Sequence, residues 1–134
     1  MLATRELFDG VTVGRLESED LAAAIDSLLE CQGAVTACAA AMLDATDTAG
    51  LMPAVRRDMD CADVVEATQR VLTRADTTDM NLLRAQLAAC AVACEHSHEL
   101  CSRHAAQHDF CRICAEATRN CMQMCRRLIN ELSN

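Results

Sequence analysis

A chain of 134 residues with ten cysteines and a formal net charge of −8 is long enough for a single core without covalent staples. The acidic balance argues against a nucleic-acid backbone as partner. Four glycines, one proline and only two aromatic residues, Phe8 and Phe110, leave little for turns. They point to long helices with interiors of alanine, leucine, valine and cysteine.

The opening stretch, MLATRELFDGVTVGRLESED, carries Glu6 and Asp9 and no apolar run of signal-peptide length. Residues 1–17, with Leu7 and Phe8 ahead of Asp9 and Gly10, are expected to form an N-terminal extension. It would be a short helix against the bundle or a neighbouring subunit. No window reaches the roughly 18 apolar residues of a membrane span, and no membrane partner is expected. The expected location is cytoplasmic, where thiols stay reduced and serve as ligands or redox groups rather than staples.

Three breaks divide residues 18–134 into four predicted helices: DTAGLMP at 47–53, RADTTD at 74–79 and the weaker RHAAQHD at 103–109. The first helix starts at Ser18 as N-cap, with Glu19 and Asp20 at the positive end of the dipole. Its apolar series is Leu21, Ile25, Leu28, Cys31, Val35, Cys38 and Met42. The second is predicted to open near Pro53, a good first-turn residue, and carries Cys61, Val65, Thr68 and Leu72. The third shows Leu83, Leu87, Cys90, Cys94, Ser97, Cys101 and His104. The fourth shows Cys111, Cys114, Thr118, Cys121, Cys125 and Leu128. Steps of three and four residues mark the seams of bundle helices.

All ten cysteines fall on those seams. A cysteine is a small hydrophobe, so a few on core stripes carry no message. Ten of ten, with alanines beside them, depart from interiors that normally prefer leucine, isoleucine and valine. The expected fold is all-α, an antiparallel up-down four-helix bundle. In that order Met42, Cys38, Cys61, Cys101, Cys111, Cys114, His104 and His108 belong to the upper half, and Cys31, Cys90, Cys94, Cys121 and Cys125 lie below. A seven-residue step spans about 10 Å, so the thiols should line a track down the axis. Leu21, Ile25, Leu28, Leu72, Leu83, Leu87, Leu128 and Ile129 plug the bottom.

Structural disulfides suit this pattern poorly, because bonded cysteines need Cα atoms within about 7 Å and helix axes stand about 8–10 Å apart. His104, His108, Cys111 and Cys114 form H-x3-H-x2-C-x2-C, a set that a tetrahedral zinc could use. It would leave eight thiols unexplained. Iron–sulfur motifs wrap a loop around the cluster rather than lining helices. A redox pair at Cys111 and Cys114 uses two thiols of the ten. Copper(I) accounts for the whole set: it is soft, prefers thiolate and accepts two or three ligands. At about one monovalent ion per thiolate the buried charge cancels, which one divalent ion among four thiolates does not achieve.

The repeated segments CAVACEHSHELC and CRICAEATRNCMQMC resemble the cytosolic copper storage proteins, cysteine-rich four-helix bundles of bacteria. The resemblance covers roughly residues 18–132 and rests on cysteines repeated on all four helices. It implies several Cu(I) ions held inside each bundle, copper chaperones or cuproenzymes as acceptors, and assembly into a homotetramer. It also implies that all ten cysteines are inward metal ligands. Members of the family often have more cysteines; here the second helix supplies only Cys61.

His104 and His108 continue the third stripe to the open end, where imidazole, a weaker Cu(I) ligand than thiolate, could pass copper in and out. The alternative is an exposed helix end favoured by the dipole. His98 flanks the stripe and His96 points outward. Met42 offers a thioether at the mouth or simple filling. Gly33 weakens the first helix, and a close helix contact there would account for it. No nucleophile–base arrangement suggests an enzyme. A metal store is therefore expected, with a single-site zinc protein, a thiol-redox protein and a metal-free helical interaction module as the competing classes.

Overall fold

The computed structural model describes residues 2–13 and 16–133. It contains a short α1 (Leu2–Leu7) and four long helices, α2 (Ser18–Leu43), α3 (Thr48–Thr73), α4 (Met80–His104) and α5 (Asp109–Ser133). Among the described residues the only β-type pairing is a single bridge between Val13 and Leu16. The expected division at 17/18 takes in residues 1, 14, 15 and 134, which lie outside the described residues.

The helices form a ring in which α2 packs on α3 and α5, and α4 packs on the same two. Their short connections make consecutive helices antiparallel. At the top lie the α2–α3 and α4–α5 turns, at the bottom the α3–α4 turn. Each long helix runs about 38 Å at the helical rise. The apolar stripes face inward as predicted. Leu21, Leu28, Leu72, Leu83 and Leu87 are fully buried in the lower part, and Ile129 is partly buried beside them.

The helix starts differ from expectation in two places. The α2 cap is Glu17, not Ser18: its backbone N–H donates to Asp20 Oδ2 at 3.1 Å, so Asp20 closes the turn from within. The α3 start lies at Thr48 rather than Pro53. Pro53 sits inside that helix, where it costs the one bond its missing N–H would have made. At the α4 start Asp79 caps as its residue type suggests, accepting from the Leu82 N–H at 3.1 Å.

In the extension, Phe8 is buried while Leu7 is exposed. Gly10 turns the chain with φ of +75°, a conformation that glycine adopts without strain. Thr4 Oγ1 donates to Asp26 Oδ1 at 3.1 Å, fastening α1 to α2. The helix α2 is long and apolar enough to cross a membrane by length and composition, which corrects the expectation that no segment would be. Its alanines raise the apolar content, and its buried stripe is spent on the bundle core. Among the described residues Gly33 serves no close contact, since a Cβ built there meets nothing within 4 Å.

Candidate metal centre

Each cysteine reaches the axis because its stripe position points inward, and the small residues Ala24, Ala39, Ala54 and Ala91 are buried on the same helices. All ten are free thiols, and none is more than 1 % exposed. In the upper part Cys38, Asp58, Cys101 and Cys114 bring one ligand atom each within 4.8 Å of the others. The Cys101 and Cys114 sulfurs are 3.3 Å apart. They lie 3.3 Å and 3.4 Å from Asp58 Oδ1, respectively. Below are two all-thiol triads, Cys31–Cys61–Cys94 and Cys90–Cys94–Cys121. Cys94 belongs to both triads, and its sulfur stands 3.8 Å from that of Cys61.

Cys61 thus belongs to the lower group, not the upper half. The reason is the earlier start of α3: five more residues above Pro53 lower everything on that helix by about 7 Å relative to expectation. Cys125 joins the lower group through hydrogen bonding with Cys121 and Cys90. Cys111 is buried near Cys38 and Cys101.

Packing thiols this closely makes their protonation unequal. Hydrogen bonds from Cys101 and Cys38 lower Cys114 to about 6. Cys101, the donor in that pair, is raised to about 11, and burial raises Cys111 to about 11. Lower down, hydrogen bonds from Cys121 and Cys125 pull Cys90 down, while hydrogen bonding with Cys121 pushes Cys94 up. Cys114 and Cys90 are therefore the sulfurs favoured to carry negative charge, while most of the others hold their protons, as expected where several like charges compete for one dry site.

The family model for copper storage proteins matches residues 17–130. The chain belongs to that family. Among solved structures it is similar to a copper storage protein from Streptomyces lividans loaded with 10 copper equivalents, at 42% identity and a TM-score of 0.89, covering 95% of this chain and 98% of that one. A five-copper structure of a cytosolic copper storage protein from the same organism gives 46% identity and a TM-score of 0.81, covering 84% and 93%. A histidine-to-alanine variant from that organism gives 44% and 0.85, covering 89% and 99%. Comparison with curated protein sequences returns no significant match.

Within this copper storage family member, Asp58 is the residue that apolar patterning missed. It is fully buried, and burial raises its carboxyl to about 7, with the Cys101 charge acting in the same direction. Ser97, also fully buried, donates to its Oδ1 at 2.6 Å. The signal was its position, three residues before Cys61 and four after the buried Ala54. A charged residue at a seam position is either an error in the register or a working group.

The histidines stand apart from the sulfur groups. His108 Nε2 lies 2.9 Å from Asp47 Oδ2, and its ring stacks on Phe110 at 4.8 Å. That contact occupies the Asp47 side chain, which makes no capping bond to α3, and it holds the Asp47 carboxyl below its ordinary range. His104 is partly buried at the end of α4. Among the described residues no group of ligand atoms within metal range contains either histidine, so the alternative His104–His108–Cys111–Cys114 zinc set is not assembled. His98 Nδ1 is 2.7 Å from the Ala115 carbonyl, a link from α4 to α5, and His96 is exposed. Met42 is fully buried near the mouth.

Proposed function

We propose that this chain stores copper as Cu(I), bound by the thiolates of Cys31, Cys38, Cys61, Cys90, Cys94, Cys101, Cys111, Cys114, Cys121 and Cys125. The observation that carries the reading is that all ten sulfurs are buried, eight of them in three groups whose members lie in ligand range of one another. Several monovalent ions shared among bridging thiolates neutralise that interior, whereas an uncompensated set of buried thiolates would be prohibitively costly. The copper-loaded relatives support it by kinship.

The test is an anaerobic Cu(I) titration of the fully reduced chain against a competing chelator, followed by thiolate-to-copper absorbance. The expected break is at about one copper per thiol or beyond, with proton release because most thiols begin protonated. Saturation at one or two ions per chain would overturn storage. A redox function is disfavoured because all ten sulfurs are buried, whereas reactive thiols need access.

His104 and His108 stand at the mouth formed by the upper turns, and we assign them to copper loading and release. Replacing both with alanine is expected to slow Cu(I) transfer from a chelating donor about tenfold or more while leaving capacity nearly unchanged, by analogy with other outer positioning groups. Stopped-flow transfer at the wild-type rate would remove this role. We place the protein in the cytoplasm as a non-enzymatic store, with copper chaperones or cuproenzymes as acceptors. A homotetramer fits the exposed apolar side chains Leu29, Met59, Val92 and Ile113, and light scattering decides the mass.

A further inference from the structure

The sulfur track is interrupted between the upper group and the lower triads, at the same height on three helices. Between Cys31 and Cys38 on α2, Cys94 and Cys101 on α4, and Cys114 and Cys121 on α5, the inward stripe carries Val35, Ser97 and Thr118, each fully buried. Cys101 pairs with Cys114 and Cys94 with Cys121, so Ser97 and Thr118 fall level with each other. Val35 takes the matching step on α2. Only α3 departs from this pattern: Asp58 belongs to the upper group and Cys61, one turn below it, to a lower triad. We propose that Cys61 is the residue through which copper crosses from the upper group to the two lower triads.

Distance and donor chemistry both close the other routes. A seven-residue step rises about 10 Å, whereas two metal–thiolate bonds of about 2.3 Å each span less than about 5 Å. One ion is therefore not shared between Cys94 and Cys101, or between Cys114 and Cys121. The girdle between them offers no soft donor. Val35 has no ligand atom, and Ser97 and Thr118 present hydroxyl oxygens, which Cu(I) takes poorly beside thiolate. The hydroxyl protons are already placed: Ser97 donates to Asp58 Oδ1 at 2.6 Å and Thr118 to the Cys114 carbonyl at 2.8 Å.

On α3 the step is shorter. Asp58 and Cys61 stand about 4.5 Å apart along the axis, and Asp58 Oδ1 meets the Cys101 and Cys114 sulfurs at 3.3 and 3.4 Å. On its other side the Cys61 sulfur lies 3.8 Å from that of Cys94, the thiol common to both lower triads. Cys61 thus adjoins the residue that reaches the upper sulfurs and touches the hub of the lower ones. The lone cysteine of α3 gains a task that its number does not suggest, a task that rests on the storage reading.

The experiment follows Cu(I) loading of the reduced protein by anaerobic stopped-flow, with final capacity counted by native mass spectrometry. Wild-type loading is expected in two phases, a fast one filling the upper group and a slower one as copper crosses the girdle. Cys61→Ser should slow the second phase about tenfold or more, since it removes the one soft ligand at the barrier. Cys31→Ser, which takes one thiol from the same triad, should lose similar capacity without that slowing. Adding Thr118→Cys to Cys61→Ser puts a thiol back at the girdle and should restore the rate, a rescue that a merely structural role would not give. A single wild-type phase, which depends on no variant folding, would overturn the assignment. So would an unslowed Cys61→Ser, equal slowing in Cys31→Ser, or no recovery with Thr118→Cys. Saturation of the wild type at one or two ions would instead defeat storage itself, so the two failures are told apart.

Discussion

Asp58→Asn is expected to stabilise the reduced, metal-free protein by roughly 4 kcal/mol at pH 8 and to change it little at pH 4. The folded carboxyl titrates near 7 against an ordinary value of 3.8. Between those values the unfolded chain has lost the proton and the folded chain has kept it. The folded state therefore binds more protons, and wild-type stability falls as pH rises through about 4 to 7, then levels off. Asparagine carries no such charge and keeps a partner for Ser97, so its profile lacks that decline. Denaturant unfolding under reducing, anaerobic conditions across pH 4–8 measures the difference directly. Parallel curves for the two proteins would show that Asp58 is not held protonated by burial.

The second large effect concerns Cys94. Because it serves both lower triads, Cys94→Ala should lower Cu(I) capacity by about two or three ions, against about one for Cys125→Ala, given two or three thiolates per copper. Stability should fall by only about 1 kcal/mol, since one sulfur is removed and the cavity is small. The same titration that counts copper in the wild type reads this out. An equal loss in both variants would mean that the triads do not act as shared clusters.

Much of this arrangement is legible in the sequence. Cysteine behaves as a small apolar residue, so the three-and-four spacing that marks a helix seam also located every thiol, and Asp79 announced the start of α4 by its residue type. Two features escaped for physical reasons. Asp58 is charged, and a pattern built from apolar residues passes over it even when it stands at the right step. The start of α3 escaped because the strongest local signal, Pro53, lies inside the helix, while Asp47 directs its carboxylate to His108, sixty-one positions away. The height of Cys61 was misjudged for the same reason, since its level depends on where α3 begins. Tertiary partners, not local preference, decide both.

The leucine-filled base has a consequence for the order of traffic. With Leu21, Leu28, Leu72, Leu83 and Leu87 fully buried there, an ion seated beside Cys121 has no exit below and must travel upward past Cys94, Cys101 and Cys114. A blind-ended shaft discharges its contents in reverse sequence, the latest arrivals leaving first. Copper near the top would then be the working balance that answers a sudden demand. Copper at the bottom would be a reserve drawn after the upper tier has emptied, its release waiting on that queue.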